Sequence, residues 1–307
     1  MGELALQLVA EGLKFPEGPV AMADGSVILT EIHGKRVVRI TPDGRIGVVA
    51  ETGGGPNGLA VGPDGALYLA NNGGSFQFFS HNGLTLPGPS APNHKGGSIQ
   101  RIELSTGAIT TLYTHCGDRT LFGPNDLVFD KQGGIWFTDH GVRYAESKVF
   151  GGLFYAAPNG SHISCARDGL LSPNGVGLSP DEKTVYVADT LSGRLWAFDV
   201  SAPGELAPPL MPRVPGRVVG NLPGFQLMDS LAVEASGRVC VATLLEGGIA
   251  AIEPNGNLEH FALSDPMVTN ICFGGEDMRD AWITASGTGR LYKTRWPRPG
   301  LRLNFNA

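Results

Sequence analysis

One unit occurs six times along the chain: a turn, a short apolar strand, a polar turn and a second apolar strand. The copies span residues 15–46, 55–72, 123–141, 171–190, 228–243 and 268–285. A repeat of this kind restricts the fold more than any composition, because each copy is too small to bury its apolar face alone and must pack on its neighbours. The apolar runs are four to six residues long and are bounded by Asp-Gly, Gly-Gly, Asn-Gly or Pro-Asp pairs. That is hairpin chemistry, and the pairs come too often for helices.

A third apolar run follows each pair, at 37–40, 99–104, 152–155, 195–198, 248–252 and 291–293, and most units add a fourth, as at 109–113 and 258–261. Six units of four antiparallel strands with no helical periodicity predict one all-β domain over residues 1–307, a six-bladed β-propeller. The sixth unit lacks a fourth strand, since Trp296, Pro297, Pro299 and Gly300 follow its third. A terminal strand is expected to close the ring and so remove the exposed edge. The N-terminal run 4–9 is the first candidate and 301–305 the competing one.

If the innermost strand of each blade starts at the leading turn, all six leading turns share one face beside the central channel. The loops joining second to third strands share it. Two of these are long, 73–97 and 140–151, and are expected to wall a pocket. The segment 201–215 joins third to fourth strand and belongs on the opposite face.

Forty-five glycines and 22 prolines approach a quarter of the chain, yet 42% of residues are apolar, the mixture expected of many short strands and tight turns. A net charge of −6 without a basic run argues against nucleic acid or an acidic membrane as partner. No apolar run approaches a bilayer span, and no basic segment precedes an apolar core at the N-terminus, so a soluble, cytoplasmic protein is expected. Cys116, Cys165, Cys240 and Cys272 show no metal-binding spacing; Cys240 and Cys272 sit in apolar strands as packed thiols.

Aligned by their leading turns, the six units place Glu17, Asn57, Asn125, Asn174, Asp229 and Asn270 at one position. Asn and Asp are ordinary turn residues, because their side chains bond nearby backbone. Glu17 has no such preference, and Asp229 is followed by Ser rather than Gly. Two carboxylates on a narrow axis repel unless a proton or cation separates them. With the amide oxygens of Asn174 and Asn125 the donor set is all oxygen, which suits Ca2+, Mg2+ or Mn2+ better than structural zinc.

These residues resemble the gluconolactonase / senescence marker protein (regucalcin)-like lactonase family over essentially all six blades. The marks are Phe15-Pro16-Glu17-Gly18-Pro19, Pro124-Asn125-Asp126, Ser172-Pro173-Asn174-Gly175 and Met228-Asp229. The resemblance implies that Glu17, Asn174 and Asp229 hold one divalent cation. Ca2+ is the first expectation, and Zn2+, Mn2+, Mg2+ or Fe2+ are the ions family members also accept. It implies that Asn125 contacts substrate or approaches the metal, as it does in the related diisopropyl fluorophosphatase. In regucalcin-type members an arginine that binds the sugar lactone stands two residues before that Asn. Gly123 stands there in this chain, so the hydroxyl contact is absent or supplied by Arg119 or Arg143.

The expected activity is divalent-metal-dependent opening of the ester ring of a sugar lactone or related small lactone, with Asp229 moving the proton. The rival readings are a non-catalytic metal-binding propeller and a phosphotriesterase of the diisopropyl fluorophosphatase type; the latter's last-blade histidine has no match here. His140, at the end of a second strand, is expected on the pocket face, to bind substrate or assist proton transfer. Asp139 and Asp189 end equivalent strands and are expected to tie turns. No G-x-S-x-G, P-loop or dinucleotide fingerprint is present. The lactone, its ring size and the oligomeric state stay open.

Overall fold

The computed structural model describes residues 4–211 and 214–305. Every regular element is a strand, and six antiparallel sheets, five of four strands and that of blade 4 with a short fifth, form the blades of a propeller. The inner strands are Pro16–Ala21, Pro56–Val61, Pro124–Phe129, Pro173–Leu178, Leu227–Val233 and Val268–Gly274, each packed on the inner strand of the next blade around the ring. Their residues are almost uniformly buried, as strands wedged between two neighbours must be.

The second and third strands alternate large apolar side chains into the spaces between blades. Trp136, Phe137, Phe154, Leu67, Leu69 and Ile28 are among the most deeply buried. Each such side chain contributes about 1.5–3 kcal/mol relative to exposure.

Gln7–Ala10 pairs antiparallel with Arg290–Arg295 and becomes the outer strand of blade 6, so the N-terminal run closes the ring. The competing segment does something else. After Trp296 the chain crosses beneath blade 5, where Gly300 bridges Glu234 and the Leu301 N–H reaches the Val233 carbonyl at 2.8 Å. Leu301 and Leu303 then line a cavity of about 80 Å³ in the lower channel. The Asn304 amide donates to the Phe129 carbonyl at 3.1 Å, and Phe305 meets the Phe129 ring edge-on. The C-terminal run is thus a plug under the channel rather than a blade strand.

Both long loops fold as expected of pocket walls. The first forms a hairpin of Gln77–His81 and Leu84–Gly88, the second a short one of Val142–Arg143 and Lys148–Val149. The segment after the third strand of blade 4 turns at Glu205–Leu206, with Gly204 against the Tyr155 ring on the opposite face; Pro212 and Arg213 lie outside the described residues. All four cysteines are free thiols, with Cys240 buried and Cys272 half-buried on its inner strand.

Candidate active site

Every inner strand breaks register with its neighbour at the same place, just after its first residues: Glu17/Val20, Pro56/Leu59, Pro124/Leu127, Pro173/Val176, Met228/Leu231 and Val268/Asn270. A bulge there bends the strand and re-aims one side chain toward the axis. The residue that follows is often glycine because the neighbouring backbone is too close for a side chain. A Cβ on Gly175 would lie 2.5 Å from the Leu231 nitrogen, and one on Gly18, which sits at φ +49°, would lie 2.3 Å from the Asn57 carbonyl oxygen.

Hydroxyls on the second strands fix the turns of the neighbouring blade. Thr30 donates to the Asn57 carbonyl at 2.7 Å, Thr138 to the Asn174 carbonyl, and Ser286 to the Pro16 carbonyl. The acids at second-strand ends tie their own turns, as expected. Asp139 accepts from the N–H groups of Phe122, Gly123 and Gly141, all at 2.8 Å, and Asp189 from those of Ser172 and Ser192 at 3.1 Å.

The result is two layers on one axis. Glu17, Asn57, Asn125, Asn174 and Asp229 line a cavity of about 330 Å³ on the loop-rich face, and each is at least nine-tenths buried. Asn270 is not among them. In blade 6 the register break leaves Thr269 unpaired and sets Asn270 opposite Thr284, and the Thr269 hydroxyl bonds those of Thr284 and Ser286. Asn270 lines the lower channel with Gly18 and Asp126, and donates its amide to Glu17 Oε2 at 2.8 Å.

Glu17 Oε2 also accepts from the Gly18 N–H at 2.8 Å. Asn174 is oriented from both ends: its amide donates to Thr190 Oγ1 at 3.1 Å, and its Oδ1 accepts from Ser230 Oγ at 3.2 Å. Asn125 Oδ1 is buried with no hydrogen-bond partner. Burial, and for Asp229 the charge of Glu17, push the carboxyls of both residues well above the usual carboxylate range. No Lys or Arg pairs with either among the described residues.

Among the described residues no three His, Cys, Asp or Glu side chains cluster in the manner of a metal site. The donors here are two carboxylates and two amides. An unpartnered amide oxygen beside two carboxyls that resist ionising together fits a hard divalent cation, which would lower the cost of both charges.

His140 and Arg143 line the same cavity, as expected of the second long loop. Burial, with the charges of Lys148 and Arg143, depresses His140 to about 3, so its ring is neutral in ordinary buffers. Arg119 is a correction. The small hairpin His115–Cys116/Arg119–Thr120 turns it outward on blade 3, where it pairs with Asp168, reaches the Phe150 carbonyl at 3.3 Å and lies 5.1 Å from the Phe154 ring centroid. It is not a wall of the cavity.

Sequence reasoning missed one carboxyl. Asp126 is a third buried carboxyl, one layer below, which accepts from the Leu127 N–H at 2.9 Å and the Val176 N–H at 3.3 Å; burial raises it to about 7. Its place directly after Asn125 was the available signal. The loop 73–97, expected to wall a pocket, does so with the apolar side chains of Phe76, Phe79 and Leu86.

A family profile described as SMP-30/Gluconolactonase/LRE-like region matches residues 15–287. The chain is 24% identical to a gluconolactonase of Zymomonas mobilis over 306 residues, covering 92% of this chain and 79% of that one. It is 26% identical to the lactonase drp35 of Staphylococcus saprophyticus over 254 residues, 82% and 70% of the two chains. Among solved structures, a gluconolactonase of Xanthomonas campestris superposes with a TM-score of 0.75 at 23% identity over 95% of this chain and 89% of that one. A calcium-binding protein, regucalcin, of Agrobacterium tumefaciens gives 0.73 at 17% identity over 98% of each. Those likenesses carry the fold, and the profile match over most of the chain carries more: this protein belongs to the SMP-30/gluconolactonase/LRE-like family.

Proposed function

We propose that the chain is a divalent-metal-dependent lactonase whose reaction takes place in the cavity above Glu17, Asn125, Asn174 and Asp229. The observation that carries this reading is the buried, unpartnered Asn125 Oδ1 facing a cavity lined by two carboxyls of raised affinity for protons. The relatives named gluconolactonase and lactonase support the substrate class.

Glu17, Asn174 and Asp229 would hold the cation, with Asn125 completing the set or contacting the ester. The chemistry such a cation supplies when bound is Lewis-acid: polarisation of the ester carbonyl and acidification of water. Asp229 accepts the proton of the attacking water as the new C–O bond forms. It returns that proton to the ring oxygen as the acyl C–O bond breaks, giving one hydroxy acid per lactone and water. Asn174, clamped by Thr190 and Ser230, and Glu17, held by Asn270 and Gly18, stay fixed while this happens. Neutral His140 donates or accepts a hydrogen bond at the wall and carries no net charge there.

The test is pH-stat hydrolysis of glucono-δ-lactone and δ-valerolactone by wild type and Asp229→Asn, each with and without chelator. Turnover should fall by about 100-fold or more for the variant and be restored to chelated wild type by added divalent metal. Undiminished turnover in both cases rejects the proposal.

A further inference from the structure

We infer that the substrate of this chain is a lactone bearing an apolar substituent of about pentyl or phenyl size, rather than a polyhydroxylated sugar lactone. The inference rests on the hydrolase reading above and concerns the rest of the same cavity. Besides the axial polar groups, its polar lining is Ser75, His140, Arg143 and Thr190. The walls above are Phe76, Phe79 and Leu86 from the long hairpin and Leu244, Leu245 and Met267 from blades 5 and 6. A sugar lactone would bury several hydroxyls against these side chains, none of which has a hydrogen bond to offer, and each unpaired hydroxyl weakens binding.

Three large apolar side chains stand open to solvent at this mouth: Phe79 is 52% exposed, Leu245 45% and Leu191 41%. Leu245 is held at φ +83°, a region that bulky residues rarely adopt, and Phe15 in the same cavity is at +59°. Such conformations persist where surrounding structure imposes them, and they cluster at ligand sites.

The apolar wall is also built in advance. The Phe78 ring of the hairpin packs at a tilt against Phe15 and His33 of blade 1, with centroids 4.9 and 4.8 Å away, and the Thr85 N–H bonds the Gly287 carbonyl of blade 6 at 2.9 Å. A hairpin rooted in blade 2 is therefore anchored on blades 1 and 6. A cavity of about 330 Å³ then lies within the range of small-molecule sites and has room for a ring with one such arm.

The experiment compares kcat/KM of the Ca2+- and Mn2+-loaded wild type on four substrates. They are δ-valerolactone, its derivatives with pentyl or phenyl on the carbon next to the ring oxygen, and glucono-δ-lactone. Burying a methylene is worth about four-fold, so a substituted lactone should be preferred over the parent by about ten-fold or more, with glucono-δ-lactone last. In Phe79→Ala and Leu245→Ala, both exposed and hence tolerant of substitution, the preference ratio should collapse several-fold. A preference for glucono-δ-lactone, or equal losses on all four substrates in both variants, overturns the inference and leaves the lactonase reading standing. Absence of turnover on any lactone overturns both.

Discussion

The Asn270 amide donates to Glu17 Oε2 at 2.8 Å, across the seam where blade 6 meets blade 1 and across 253 positions of sequence. This bond fixes the carboxylate of the first blade from the last one, so the candidate cation site is complete only when the ring is closed. Outer partners of metal ligands typically govern affinity by ten- to hundred-fold. Asn270→Ala is therefore expected to weaken Ca2+ or Mn2+ binding by about that factor, read by isothermal titration. An unchanged affinity would show that the bond is structural only.

Glu17 and Asp229 oppose each other's ionisation, and burial opposes both. In chelator-treated protein at pH 8, Asp229→Asn should then be more stable than wild type, by about 1 kcal/mol or more. Added Ca2+ should raise the melting temperature of wild type and leave that of the variant nearly unchanged. The comparison is by differential scanning fluorimetry, and a metal-free variant less stable than metal-free wild type would contradict this account.

Asp126 offers a pH prediction with a definite sign. Its folded-state value is raised from 3.8 to about 7, so the folded form binds the proton more tightly than the unfolded chain. The stabilisation is complete below the unfolded value and is lost as pH rises toward about 7. Urea denaturation of metal-free protein across that window should show stability declining with pH. Asp126→Asn should flatten the decline by about one proton's slope. An identical slope in the variant would assign the titration elsewhere.

Glu234 behaves oppositely. It is fully buried and accepts from Trp296 Nε1 at 2.8 Å and Arg298 Nε at 2.8 and 2.9 Å, which hold its carboxyl below the usual range despite the cost of burial. Its contribution is present above the unfolded value and is lost as pH falls through the lowered one. Glu234→Gln should cost about 3 kcal/mol, seen as a lower urea midpoint at neutral pH, with the gap to wild type closing in acid. Because the partners lie on the C-terminal run, limited proteolysis should cut that run first in the variant.

Much of this was legible in the sequence because a propeller repeats its own instructions. The turn pairs bounding each short apolar run specified hairpins, and counting runs gave the blades. Asp139 and Asp189 were readable as turn ties because their equivalent places implied equivalent bonds. The sixth turn was harder to read: Val268-Thr269-Asn270 lacks the proline that marks the turn in blades 1 to 4, and Asn270 lines the lower channel rather than the upper cavity. Arg119 lies only six residues before Asn125, yet it belongs to the small hairpin 115–120 and pairs with Asp168, and spacing alone does not reveal that. The role of 301–305 was hidden for a different reason. Its contacts with Val233, Phe129 and Glu182 are all distant in sequence and leave no periodic trace.

The segment under the channel has a kinetic corollary. With Leu301 and Leu303 set in the lower channel, only about 80 Å³ of space is left there beneath the upper cavity of about 330 Å³. A molecule that enters between the aromatic hairpin and blade 5 is then expected to leave by the same route. A hydroxy-acid product that lingers there shuts out the next ring-closed molecule, and accumulation of product becomes a brake on the forward reaction.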